Sequence, residues 1–351
     1  MFEANIIKIL FLCALSSFLA VLWTPLLTHF LYKYKLWKKE ARKKAIDGKA
    51  APVFYNLHKE REVTVPRLGG LLIWITVIFI AFFFAILAKF FDGFWLQKLN
   101  FLSRGQTWLP LGILAAASLL GLCDDLLQVF GKGKYIGGGM KFSRRLLIMI
   151  IIAAGGAWWF YYKLGWTTLF IPLIGDINIG FFYIPLFIIT TLGCWAGGVI
   201  DGIDGLAGGT FAMIFGAFSI IAFSQAQIDL ASFCAVLTGA ILAFLWFNIP
   251  PARFYMGESG MMGLTATLAA VAFLTDSVVV LPIIAGLLVI EAGSVILQLL
   301  SKKFLHRKIF LSSPIHHHLE AKGWSQPKIT MRFWILGMIM AIIGVTIILL
   351  G

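Results

Sequence analysis

The sequence predicts an all-α, polytopic membrane protein with about ten transmembrane helices, and three observations carry that reading. Apolar residues make up 60% of the 351 and charged ones 13%, with a mean hydropathy of +0.92. Soluble domains average about 45–50% and about 25%. The apolar residues fall in runs near the ~20 that a helix needs to cross a bilayer core. All but five of the 29 Lys and Arg lie in alternate gaps between those runs, the one-sided bias that orients spans.

The first run, 5–32, exceeds the core of a signal peptide, which is about 7–15 residues, and is expected to stay as an uncleaved span. Further runs follow at 69–88, 108–123, 146–163, 183–199, 207–223, 231–247, 262–275, 278–300 and 332–350. The pair at 262–300 is divided only by Thr275-Asp276-Ser277 and the nearby Pro282, so the count of ten turns on that break. The basic gaps, 33–67, 124–145, 200–206, 248–261 and 301–332, are then cytoplasmic, and both termini are periplasmic. The whole chain, 1–351, reads as one integral-membrane domain.

Segment 33–67 is basic and amphipathic, suited to anionic lipid. It ends in Val65-Pro66-Arg67-Leu68-Gly69-Gly70, which brings Arg67 to a span entrance within reach of a phosphate. The outer loops, 89–107 and 164–182, are apolar and aromatic. Loose alternation over Phe170–Ile179, with a Gly175-Asp176 turn, predicts a short periplasmic β-hairpin. The four cysteines, Cys13, Cys123, Cys194 and Cys234, have no CxxC spacing and read as small apolar residues. A net charge of +13 amid so many spans points to anionic lipid and anionic substrate, not nucleic acid.

Five of the 16 Asp and Glu sit at predicted cytoplasmic span ends: Asp124, Asp125, Asp201, Asp204 and Glu258. Anchoring uses bases, so it does not explain them. Singly, each motif has a plain reading. Gly197–Gly209 can be a Gly-rich turn, Asp124-Asp125 a solvated helix end, Arg253 and Glu258 an ion pair, and Glu291 a satisfied carboxyl in the bundle. Together with Asn248, Arg253 and His316-His317-His318 they form clustered carboxylates with bases at one face. Hard carboxylate oxygens suit Mg²⁺, which binds one or two of them plus substrate phosphates. The chemistry implied is phosphoryl transfer at a membrane surface, with one substrate soluble and the other lipid-borne.

On these motifs the chain resembles the polyprenyl-phosphate N-acetylhexosamine-1-phosphate transferases. The motifs are Pro66-x-x-Gly69-Gly70, Asp124-Asp125, the run Asp201-Gly-x-Asp204-Gly-Leu-Ala207, Asn248, Met256-Gly257 and Pro314-Ile315-His316-His317-His318. The triple histidine, with Glu320, Gly323-Trp324 and Arg332-Phe333-Trp334, marks the phospho-N-acetylmuramoyl-pentapeptide transferase branch. The resemblance implies ten helices, cytoplasmic active-site loops, Mg²⁺, homodimers and the bacterial cytoplasmic (inner) membrane. It implies transfer of phospho-MurNAc-pentapeptide from UDP-MurNAc-pentapeptide to undecaprenyl phosphate in the bilayer, giving lipid I and UMP.

By the same resemblance Glu258 and Asp201 hold the metal, and Asp124, Asp125, Asp201, Glu258 and His316 are catalytic. Arg67, Lys134, Asp204, Asn248, His317 and His318 bind substrate. Four positions depart from the family pattern: Glu258 for Asp, Gly198 for Asn, Gln128 for Lys and Arg67 for Thr. Lys132, Lys134 or Arg67 is a candidate to restore the lost positive charge. One-step transfer and a covalent aspartyl-phosphate route both remain open. The competing functions are transfer of GlcNAc-1-phosphate, ion-coupled transport and a catalytically dead scaffold. The triple histidine disfavours the first; one-sided acids and the lack of an internal repeat disfavour the second.

Overall fold

The structure, a computed structural model, describes residues 2–41, 52–133 and 138–351. In order the elements are α1 (Phe2–Lys33), α2 (Pro52–Glu62), α3 (Gly70–Phe90), α4 (Phe94–Leu99), α5 (Trp108–Phe130) and α6 (Phe142–Trp158). A two-stranded hairpin follows, β1 (Thr168–Ile171) and β2 (Gly175–Asn178). Then come α7 (Tyr183–Ala196), α8 (Leu206–Ser224), α9 (Ile228–Asn248), α10 (Gly257–Leu274), α11 (Leu281–Ile284), α12 (Gly286–Leu300), α13 (Ile315–Ala321) and α14 (Gln326–Leu350).

Among the described residues nine helices are long and apolar enough to cross a membrane. The tenth expected span, 278–300, is broken. Pro282 stands in the first turn of the one-turn α11, where its missing N–H costs nothing. The chain restarts at Ala285 as α12, whose 15 residues run on into a π-helical turn, Ser301–Leu305. The expected hairpin is present, antiparallel, with Thr168 opposite Asn178 and Ile171 opposite Gly175. Asp276 steadies it by accepting the Phe170 N–H at 3.2 Å.

In a bilayer every backbone polar group must be satisfied within the protein, which is why the apolar runs are helical. Association then depends on close packing of small residues. The innermost helix is α10, with 94% of its apolar window buried. Gly260 lies against Gly70 of α3 and Gly263 against Ser118 of α5, so both helices pack closely on it. At Gly70 the approach is backbone on backbone: a Cβ there would fall 2.2 Å from the Gly260 nitrogen.

The two ends of the bundle differ. At one end buried Lys8 of α1 donates to Asp229 at 2.8 Å and to the Asn100 carbonyl at 3.1 Å. The other end gathers the termini of α3, α5, α6, α8, α9, α10 and α14 with the crossing helix α2. It holds nearly all of the expected polar residues.

Candidate active site

Two loops are locked together by backbone bonds at that end, and a third is tied to them by side chains. Tyr255 N–H donates to the Pro66 carbonyl, Gly69 N–H to Tyr255 and Gly70 N–H to Met256, each at 2.8 Å. Asn248 joins two segments, accepting the Gly205 N–H at 3.0 Å and donating to the Phe254 carbonyl at 2.9 Å. Asp204 accepts the Ala252 N–H at 3.0 Å and the Arg61 guanidinium of α2 at 2.6 Å. Asp125, fully buried, accepts the N–H groups of Glu258 at 3.1 Å and Ser259 at 2.9 Å. A carboxylate there satisfies orphan donors at the start of α10 and lies at the positive end of the helix dipole.

These bonds shape a cavity of about 570 Å³. Asp124, Asp201, Glu258, Arg67, Arg145 and His317 line it, and Asp125, Asp204, Asn248, His316 and His318 do not. Lys134 lies outside the described residues.

Arg145, at the start of α6, is the cation that sequence reasoning missed. Its Nη1 bridges Asp124 at 3.3 Å and Glu258 at 3.1 Å. Asp124 also accepts the Gln128 amide at 2.7 Å and the Met140 N–H at 2.5 Å. Gln128, where the family resemblance led to an expectation of Lys, gives Asp124 a neutral donor, and Arg145 supplies positive charge. The Phe142-Ser143-Arg144-Arg145 run at a span entrance was the available signal. Glu258 pairs with Arg145 and not with Arg253, whose guanidinium lies over the Phe247 ring at 5.7 Å. Arg67 approaches Asp125 at 3.6 Å through Nε. Burial pushes the Asp201 carboxyl up to about 6, against the pull of Arg67.

The three histidines have different partners. His316 is fully buried and its Nδ1 lies 2.9 Å from Glu291 of α12. His317 meets Glu320 through Nδ1 at 2.5 Å, and His58 of α2 reaches the same carboxylate oxygen at 3.1 Å. His318 accepts the Leu311 N–H at 3.1 Å. Burial, then the neighbouring His316, lowers the His317 pKa to about 3 and keeps the ring neutral. Burial alone would raise the Glu320 carboxyl, but hydrogen bonds from His317 and His58 outweigh it and hold it below the usual range.

Two places offer metal-binding groups. His58, His317 and Glu320 bring one ligand atom each within 4.8 Å of one another. Both rings sit on a single carboxylate oxygen, an arrangement already complete as a hydrogen-bonded triad. The cavity carboxylates fit Mg²⁺ better, because Asp201 and Glu258 are hard oxygen donors facing one space large enough for phosphates.

One wall of the cavity is apolar, formed by Leu146, Leu192, Trp195, Val199 and Leu299 from α6, α7, the turn after it and α12. Phe142 stacks on Trp195 there, with centroids 5.7 Å apart and rings 11° from parallel. Arginine and carboxylate side chains and an apolar wall thus share one space.

Residues 107–276 match the family model described as glycosyl transferase family 4. The chain is 33% identical over 335 residues to a protein from a Geobacillus species named phospho-N-acetylmuramoyl-pentapeptide-transferase, covering 95% of each. It is 34% identical over 342 residues to the protein of that name from Bacillus velezensis, covering 97% of each. The match to the one from Shouchella clausii is 34% over 343 residues, again 97% of each.

Proposed function

Since the chain belongs to the phospho-N-acetylmuramoyl-pentapeptide-transferase family, phosphoglycosyl transferases of peptidoglycan synthesis, we propose the substrates and roles of its site residues. The soluble substrate is UDP-MurNAc-pentapeptide and the acceptor is undecaprenyl phosphate; the products are lipid I and UMP. The reaction takes place at the cytoplasmic face of the bacterial inner membrane, in a homodimer with both termini periplasmic. The observation that carries this reading is the cavity, where Asp124, Asp201 and Glu258 face Arg67 and Arg145 beside an apolar wall. A water-soluble diphosphate and a membrane-held phosphate can meet there.

In the transfer an oxygen of the lipid phosphate bonds to the phosphorus bearing the sugar. The bond from that phosphorus to the bridging oxygen breaks, and its electron pair leaves with UMP. A phosphate monoester with a second pKa of about 6 is largely ionised at pH 7, so no strong base is needed. Asp124 already accepts three donors, which fits orienting Arg145 better than removing a proton. Arg145 and Arg67 stabilise negative charge on the transferring phosphoryl group. Asp201 and Glu258 would hold Mg²⁺, which when bound neutralises charge on the diphosphate and the leaving group. His317 contacts the diphosphate or sugar. Asp125, Asp204 and Asn248 act through the loops they fasten. The leucine and tryptophan wall receives the start of the lipid chain.

The experiment is UMP release by the purified protein with undecaprenyl phosphate and either UDP-MurNAc-pentapeptide or UDP-GlcNAc. Turnover with the first and not the second is expected. The reverse preference would make the chain a GlcNAc-1-phosphate transferase.

A further inference from the structure

The basic stretch that follows α1 does more than lie on the membrane. Helix α1 ends at Lys33, and Lys35 takes a left-handed conformation, φ 49°, in the turn beyond it. Arg67 N–H then donates to the Leu36 carbonyl at 2.9 Å, and Lys39 Nζ donates to the Phe130 carbonyl, at the end of α5, at 3.2 Å. Leu36–Lys39 is therefore fastened to the α3 entrance and to the α5 terminus. Lys38 lies between those two ties and is only 6% exposed. A lysine that anchors to anionic lipid keeps its ammonium at the surface. Burying one requires a charged partner.

That partner is Glu62, the last residue of α2, at 2.7 Å. Both side chains line the same cavity as Arg67, Arg145 and Asp201. An acid at a helix C-terminus opposes the dipole, so α2 itself does not favour a carboxylate there; the cations around the cavity do. Burial disfavours the charged form of Arg67, yet the charges of Asp125, Asp201, Glu62 and Glu258 raise its pKa. Glu62 thus acts on two cations at once. Its carboxylate stands where those cations would otherwise draw a phosphate.

We propose that Lys38 binds a phosphate oxygen of the nucleotide diphosphate, and that Glu62 is its place-holder, released from the ammonium when the substrate enters. The inference rests on the diphosphate reading of the cavity. An ammonium has donors only, and carboxylate and phosphate oxygens both accept, so the exchange leaves Lys38 paired throughout. It adds a substrate-binding cation from the segment between α1 and α2, where none of the sequence motifs lies.

The test sets the two members of the pair against each other. UDP with Mg²⁺ is titrated calorimetrically into the full-length protein, and KM is measured for UDP-MurNAc-pentapeptide and for undecaprenyl phosphate. Lys38→Gln weakens UDP binding and raises KM for the nucleotide sugar about 10–100-fold, the scale of one lost hydrogen bond to a charged group, with a smaller effect on kcat. Lys38→Arg, which keeps the charge, recovers part of the affinity. Glu62→Gln removes the competing anion and tightens UDP binding. The double variant Lys38→Gln/Glu62→Gln leaves neither charge unpaired, so it melts in detergent like the parent while its UDP affinity stays low. Parent-like UDP binding by Lys38→Gln would overturn the proposal. So would equal weakening by Glu62→Gln, which would make the pair a structural one. A rise in KM for undecaprenyl phosphate alone would also overturn it, assigning the ammonium to the lipid phosphate. Parent protein that binds no UDP sinks this inference and the diphosphate reading together. Parent protein that binds UDP through Lys38 but releases no UMP leaves the contact standing and puts the transferase reading at fault.

Discussion

The Asp125 carboxylate accepts the Ser259 N–H at 2.9 Å and so carries the first turn of α10, the innermost helix of the bundle. Its neighbour Asp124 faces the cavity and Arg145. Two adjacent acids therefore hold opposite assignments, and mutation separates them. Asp125→Ala is expected to cost stability on the scale of a lost helix cap, about 1–2 kcal/mol, read as a lower melting temperature in detergent. Asp124→Asn is expected to keep that temperature and lose turnover. Equal melting losses in the two variants would contradict the division.

Arg145 is the only group bonded to both Asp124 and Glu258 among the described contacts. Arg145→Gln removes the positive charge between two acids. The expected loss in kcat/KM is about 100-fold or more, the scale of removing one preorganised donor to a developing charge. Arg145→Lys keeps the charge without the fork and should fall in between.

Chelation with EDTA is expected to abolish UMP release and leave the fold intact, with recovery on adding Mg²⁺. Glu258→Gln should raise the Mg²⁺ concentration needed for half-maximal rate. If that variant turns over like the parent at limiting Mg²⁺, Glu258 is not a ligand.

The His317–Glu320 pair makes local stability depend on acid. His317 titrates near 3 in the fold against about 6.5 when unfolded, and Glu320 is also lowered. Groups lowered by folding bind fewer protons folded than unfolded, so stability is lost as pH falls, from about 6.5 for the histidine and further below 4.5 for the glutamate. At pH 5 the histidine's share is about 2 kcal/mol. Hydrogen-exchange protection factors across residues 311–325, corrected for the intrinsic pH dependence of exchange, should fall between pH 7 and pH 5. His317→Asn should flatten that dependence.

Gly198, where the family resemblance led to an expectation of Asn, has room for a Cβ. A Cβ would meet only Met261 at 3.6 Å and Thr265 at 3.9 Å, ordinary contact distances. Gly198→Asn is expected to fold normally and to lower KM for the nucleotide sugar. A melting loss would show the space to be smaller than its geometry.

Much of this architecture was legible in the residues. Apolar runs located the spans, and loose alternation located the hairpin, although its turn is Pro172-Leu173-Ile174 and the Gly175-Asp176 pair expected to turn lies in β2. Of the five acids at span ends, Asp124, Asp201 and Glu258 line one cavity. What could not be read was rotation. Asp124 and Asp125 are equivalent on paper, and only the turn of α5 against α10 decides which one caps a helix and which faces the cavity. Asn248 looks like a ligand-binding amide, yet both its functions are spent on Gly205 and Phe254. His58 and Arg61 sit in a basic segment read as a lipid anchor. Their bonds to Glu320 and Asp204 depend on α2 crossing segments far away in the chain. The tenth span was weakened by the same Pro282 that made its count turn on a break.

The pairing of Pro66–Gly70 with Tyr255 and Met256 also bears on how the molecule is made. As the chain leaves the ribosome, the N–H groups of Gly69 and Gly70 have no partner until α9 has been synthesised and the loop beyond it emerges. The α3 entrance must wait, hydrated at the membrane surface, while five later spans insert. Assembly of the reactive centre is thereby deferred to the closing stages of translation, and a prematurely terminated chain would carry the acids without the pocket.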